Sequence, residues 1–116
     1  MTDVAVTSIV FASQNRCIMI IVLGSVTAKA DSLQTLLKVS LEHVHRSRTE
    51  PGCISHDVHI DHENPLRLVF VEKWSDAQAL GAHFKVKGSV DFVTQVRTLA
   101  ASAPVIEIFS AAPQKM

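Results

Sequence analysis

Three short stretches of this chain hold the side chains that proton transfer and aromatic binding require. In Phe70-Val71-Glu72-Lys73-Trp74 the alternate residues Phe70, Glu72 and Trp74 fall on one face of an extended segment. Glu72 therefore stands among Leu68, Phe70 and Trp74, where an ionised carboxyl is costly unless it is hydrogen-bonded. We read it as a carboxylate held by such bonds, with a general base of raised pKa as the alternative. Trp74, the only tryptophan, forms either an aromatic pocket wall or an anchor for the element that follows. His83 comes three residues after Leu80 in a helical pattern, so it points toward the sheet, where it can exchange a proton near neutral pH. His56 shares a strand face with Ile54 and Val58 and can enter the same space.

The remaining histidines, His43, His45, His59 and His62, read as surface residues. His43 and His45 lie two apart on a helix and point in different directions, so no metal site is expected from this stretch. Cys17 and Cys53 form no CxxC or Cys/His spacing, and they read as reduced, buried thiols.

Composition narrows the setting. Lys and Arg number 11, as do Asp and Glu, and this balance excludes the basic face that a nucleic-acid binder needs. The longest apolar run, from Cys17 to Leu23, falls well short of the roughly 20 residues that span a bilayer. Asp3 sits where a secretory leader would carry Lys or Arg. A cytoplasmic protein with no membrane contact is expected. With hydrophobic residues at 47% of a chain this small, some apolar surface should be buried against a partner.

The elements that must position these side chains follow from periodicity. A β-branched run from Cys17 to Val26 reads as a buried strand. Asp31 and Gln34 have capping-box form, and Leu33, Leu36, Leu37, Leu41 and Val44 then mark one helix face. Glu50-Pro51-Gly52 ends that helix. Ile54 to Ile60 and Leu66 to Trp74 alternate as two strands joined by a polar loop over Asp61 to Pro65. Ser75 and Gln78 suggest a second cap for a helix reaching Lys85, broken by Gly88-Ser89. Val90 to Ala101 reads as a further helix and Val105 to Phe109 as a last strand.

That order predicts an α+β, ferredoxin-like unit over residues 17–112: an antiparallel sheet with helices on one face. The other face needs cover, most simply a second copy. Residues 1–16 stand outside the unit, as an extension or as an extra strand over Val4 to Phe11.

The series Glu50-Pro51-Gly52-Cys53-Ile54-Ser55-His56-Asp57, Asn64-Pro65, Phe70-Val71-Glu72-Lys73-Trp74 and Leu80-Gly81-Ala82-His83-Phe84 resembles the antibiotic biosynthesis monooxygenase family, and within it the small quinol monooxygenases. The resemblance spans about residues 18 to 110. It implies a homodimer, a dimeric α+β barrel, with a pocket between helices and sheet in each subunit. It also implies oxidation of a phenolic or quinol-like polycyclic aromatic by dioxygen with no metal or flavin cofactor. In such chemistry the deprotonated substrate supplies the electrons, and the protein provides a base, an oxyanion donor and a dry pocket. His83, Trp74 and Glu72 become the catalytic candidates, and His56, Phe70 and Phe84 the substrate-binding ones. Two departures stand out: His56 occupies a position where many relatives carry tyrosine, and Gly88-Ser89 falls where a second histidine is common.

Two other readings are open. Relatives of this dimeric fold bind or degrade haem, which would use His83 as axial ligand, but Ile20 to Ser25 lack the asparagine expected for that role. Alternatively, the pocket binds a small ligand without chemistry.

Overall fold

The computed structural model describes residues 18–116. The extension or extra strand expected over residues 1–16 therefore lies outside the described residues, as does Cys17. The elements run β1 (Met19–Thr27), α1 (Leu33–Ser47), β2 (Cys53–Asp61), β3 (Asn64–Trp74), α2 (Ala77–Lys85), α3 (Lys87–Leu99) and β4 (Val105–Ala111). The four strands form one sheet in the order β2-β3-β1-β4, with every neighbouring pair antiparallel. This is the split-βαβ, ferredoxin-like arrangement that the element order predicts.

Alternation along the strands decides which side chains meet the helices. Ile20, Val22 and Val26 of β1 and Leu68, Phe70, Glu72 and Trp74 of β3 are buried. They pack in two clusters. The larger joins Val26, Leu68 and Phe70 to Leu36, Val39 and Val44 of α1 and to Val96 of α3. The smaller joins Ile20, Val22 and Trp74 to Leu80 of α2. On the opposite sheet face, Leu23, Val105 and Phe109 are exposed at 39%, 56% and 46%, around the exposed Glu107 that pairs with Leu23, so that face leaves large apolar side chains uncovered. Ile106 and Ile108 of β4 pair with Gly24 and Val22 on the helix side of the sheet, yet they too are exposed.

Several local details differ from the sequence reading. Helix α1 takes Ser32, not Asp31, as its N-cap; the Ser32 hydroxyl instead donates to the Leu99 carbonyl at 2.6 Å, tying the start of α1 to the end of α3. At α2 the cap is Asp76 rather than Ser75, accepting from the Ala79 amide at 2.8 Å. Gly88 and Ser89 do not interrupt the helices, since both lie in the first turn of α3. The interruption is Val86, whose extended backbone (φ −61°, ψ 135°) separates α2 from α3. Leu41 is 46% exposed, while the buried side of α1 runs through Leu36, Val39, Ser40, His43, Val44 and Ser47.

In β2 the register against β3 shifts between Cys53 and Ser55. This bulge makes Ile54 an extra residue, exposed at 55%, so Ile54 and His56 do not share a buried face. Cys53 faces the Trp74 cluster, and burial pushes its thiol pKa up, helped by the charges of Glu50 and Glu72.

Candidate active site

His83 is placed by a short causal chain. Gly52, at φ 83°, adopts a backbone conformation that favours glycine. Any side chain there would run into the Ala79 Cβ and the Ser75 hydroxyl. The turn after α1 thus sits directly against α2, anchored by the Ser75 amide donating to the Gly52 carbonyl at 2.8 Å. Ala79 and His83 are one helical turn apart on the same side of α2, so docking the turn on Ala79 brings His83 to Glu50. The His83 Nδ1–H donates to Glu50 Oε1 at 2.7 Å, which leaves Nε2 as the atom able to take a proton.

Glu50 is in turn faced by Arg46, with Nε 3.6 Å from Glu50 Oε2. The Arg46 guanidinium also donates to His43 Nδ1 and, at 3.2 Å, to the Ser89 hydroxyl. A Cβ on Gly88 would overlap this guanidinium. The Gly88-Ser89 pair therefore makes room for Arg46 and bonds to it.

On the sheet side, the Trp74 indole N–H donates to Glu72 Oε1 at 2.9 Å. His56 Nε2 lies 3.3 Å from the same oxygen, off the line of a hydrogen bond. Burial alone would raise the Glu72 pKa; His56, the indole N–H and the charge of His83 outweigh it and hold the carboxyl below its ordinary range. The direction is opposite to the raised pKa of a general base at neutral pH. The carboxyl is thus held by one side-chain hydrogen bond, from Trp74, and by the imidazoles beside it.

A cavity of about 320 Å³ opens between sheet and helices. Gly24, opposite both Phe70 and Ile106 in the sheet, presents no side chain to it and so deepens its floor. Phe70, Phe84, Phe92, Val93 and Val96 supply apolar wall, and Glu72, His83, His43 and Ser89 supply the polar end. Of the six residues singled out by sequence, His83, Glu72, Phe70 and Phe84 line this space. Trp74 and His56 do not. Both are fully buried at 0% exposure and stand one layer behind, the indole centroid 4.6 Å from the His83 ring.

His43 corrects the surface reading given to it above: it is 5% exposed and stacks flat on Phe92 at 4.0 Å between ring centroids. Burial, then the charges of His56, His83 and Arg46, lower its pKa to about 2, so its imidazole is neutral. A signal was present, because His43 is seven residues from Leu36 and four from Val39, in phase with the buried side of α1. Glu50 and Phe92 were likewise not marked as site residues by sequence. His45, His59 and His62 are exposed.

The profile of the antibiotic biosynthesis monooxygenase family matches residues 19–95. A Synechocystis protein described as uncharacterized is 31% identical over 93 residues, covering 80% of this chain and 63% of that protein. The chain thus spans less than two thirds of that relative's length. Among solved structures, a conserved protein from Methanosarcina mazei superposes with a TM-score of 0.78 at 21% identity, covering 82% of this chain and 94% of the other. The crystal structure of an antibiotic biosynthesis monooxygenase gives a TM-score of 0.76 at 24% identity, covering 81% and 99% of the two chains. At these identities the structural likeness speaks for the fold.

Proposed function

Because the chain belongs to the antibiotic biosynthesis monooxygenase family, we propose that it oxidises a phenolic or quinol-type aromatic with dioxygen, using His83 as the base. The observation that carries this reading is the His83–Glu50 pair at the polar end of an otherwise aromatic and aliphatic cavity. The Glu50 carboxylate fixes the His83 tautomer, so Nε2 accepts the substrate proton and the resulting imidazolium is stabilised by a short ion pair. The volume of about 320 Å³ is at the small end of ligand pockets, which run to about 1,000 Å³, and suits a flat substrate of few fused rings. Phe70, Phe84 and Phe92 offer the apolar contact.

The chemistry needs electrons only from the substrate. An anthrone-like carbanion gives one electron to dioxygen, superoxide recombines at the same carbon, and the hydroperoxide loses water to leave a ketone. One substrate CH₂ and one O₂ thus become C=O and H₂O. Glu72, held below its ordinary pKa, remains an anion and positions Trp74 behind the His83 ring, so it is a positioning residue in this scheme. Trp74 and His56 act from behind the cavity.

The reading includes a homodimer. Leu23, Val105 and Phe109 on the uncovered sheet face form the apolar surface that a second copy would bury. Phe109→Asp should shift the sedimentation profile toward the monomer at micromolar concentration; an unchanged profile would remove this face from the interface.

Oxygen-electrode assays with hydroquinones, naphthols and anthrones test the chemistry. Turnover that falls strongly in His83→Ala and partly in Glu50→Gln is the expected result. Protein inert across the whole panel would favour ligand binding without chemistry, a reading helped by the hydrogen bonding that already occupies Glu72.

A further inference from the structure

We propose that His43, His56 and His83 form a binding site for one first-row divalent cation of the zinc type, where α1, β2 and α2 meet. The inference does not depend on the oxygenase reading.

The three histidines lie far apart in sequence, and the fold gathers them. One ligand-capable nitrogen from each lies within 4.8 Å of the other two. A tetrahedral zinc with Zn–N distances of about 2.0–2.1 Å holds its nitrogens about 3.3 Å apart, so the rings must close by roughly 1.5 Å at most, a movement within reach of side-chain rotation. Imidazole nitrogen suits zinc, copper, nickel and iron, and the absence of a thiolate among the three favours no soft ion.

His56 supplies the second, independent observation. Its side chain is 0% exposed; Nδ1 has no hydrogen-bond partner among the described residues, and Nε2 meets only the Glu72 carboxylate, at 3.3 Å and outside hydrogen-bond geometry. Buried polar atoms are almost always partnered, and an orphaned one calls for a role. The His56 ring packs edge-on to His43 at 5.2 Å and lies 5.6 Å from His83, so the unpartnered ring belongs to the cluster itself. A metal ion would satisfy it.

The surroundings have the features of a ligand shell. Glu50 bonds the Nδ1–H of His83, the carboxylate–histidine arrangement that orients metal-bound imidazoles and makes them better donors. Phe92 against His43 and Trp74 against His83 make an apolar jacket. Glu72, 3.3 Å from His56, and Glu50 bring negative charge to offset the cation. Since His43 and His83 also line the cavity, a fourth coordination position would face the space where a small ligand enters, as in zinc sites with three histidines.

One contact opposes loading. Arg46 donates to His43 Nδ1. Ligation through that nitrogen requires the guanidinium to leave, and ligation through Nε2 requires Nδ1 to carry a proton, with the same consequence. Arg46 has Glu50 and Ser89 to withdraw to, both of which it already contacts. Metal binding also engages His83, so occupancy and the base role exclude one another.

The experiment is a titration of chelator-stripped, full-length protein with Zn²⁺ against a chromophoric chelator, repeated with Co²⁺ to read its visible d–d absorption. One equivalent per chain, with the absorption of low-coordinate cobalt bound to nitrogen, is expected. His43→Ala and His56→Ala should each abolish the stoichiometric binding, Glu50→Gln should weaken it about 10–100-fold, and a His45→Ala/His59→Ala/His62→Ala triple variant should leave it intact. Failure of the wild-type protein to bind a stoichiometric ion overturns the proposal, and that measurement decides even where a variant fails to fold. Binding that survives His56→Ala but vanishes in the triple variant overturns it too, because the ion then sits on surface histidines. Metal affinity is read without turnover, so an inactive protein that binds zinc and an active one that does not are separate outcomes.

Discussion

The two ends of the cavity are built on opposite rules. At the polar end, nearly every functional atom is held by another: Glu50 holds His83, Arg46 faces Glu50 and bonds His43, and Trp74 bonds Glu72. At the other end, Gly24, Val93 and Ile106 bound the space; Gly24 and Ile106 are held through the pairing of β1 with β4 rather than by side-chain hydrogen bonds, and Ile106 is 56% exposed. The first end is organised before any ligand arrives. The second is a mostly apolar surface that meets its occupant through shape and contact. Chemistry needs groups fixed to fractions of an ångström, whereas hydrophobic contact is non-directional, and the molecule divides its side-chain hydrogen bonds accordingly.

This contrast can be broken at its strongest point first. His83→Ala should lower kcat/KM for an oxidisable quinol by about 10²–10⁴-fold, the range for loss of a general base, measured by initial-rate oxygen uptake. Trp74→Ala should instead act through stability: it empties a fully buried site, and the loss should be about 3–5 kcal/mol in urea unfolding. A loss under about 1 kcal/mol would show that the polar end is less tightly packed than its hydrogen bonds suggest.

Acid provides a finer test. The Glu72 carboxyl is held below its ordinary range in the folded state, so between the folded value and the unfolded value of about 4.3 the unfolded chain binds more protons. Stability from this group is therefore present above the unfolded pKa and fades as pH falls through the folded one. Wild-type unfolding free energy should decline below about pH 4, and Glu72→Gln should be less stable at pH 7 but show a flatter acid limb. Equal slopes in the two proteins would exclude Glu72 as the origin.

The smallest effect belongs to the apolar end. A Cβ at Gly24 would lie 3.6 Å from the Val105 carbonyl oxygen and 3.7 Å from the Phe70 Cβ, ordinary contact distances. Gly24→Ala should change stability by less than about 1 kcal/mol while narrowing the cavity, so KM should rise for the larger of two homologous quinols and stay level for the smaller.

The fold was readable because it rests on repeating patterns. Alternation in Leu66 to Trp74 and the helical spacing of Leu33, Leu36, Leu37 and Val44 are enough to set the element order and the buried sheet face. What escaped were features that depend on one residue's partner in space. The bulge at Ile54 changes which side chains of β2 face inward, and nothing in an alternating run reveals an extra residue. Asp31 and Ser75 look as good as caps as Ser32 and Asp76, and only the geometry of each turn chooses between neighbours. His43 was missed because polar type outweighed helical phase. His83 was found because Leu80 beside it made the buried phase visible, but its partner Glu50 lies in a segment that reads simply as a helix stop.

That stop has a second employment. The turn Glu50-Pro51-Gly52 terminates α1, and through Gly52 against Ala79 it also sets the distance from Glu50 to His83. A segment that serves two masters is hard to alter for one alone. An engineer who replaces Gly52 to stiffen the loop will also move Glu50 relative to His83 on the neighbouring helix, and a library screened only for thermal resistance will sort variants of that geometry blindly. Variation in this turn belongs in any search for altered chemistry, although among the described residues only Glu50 of this turn touches His83 by hydrogen bond.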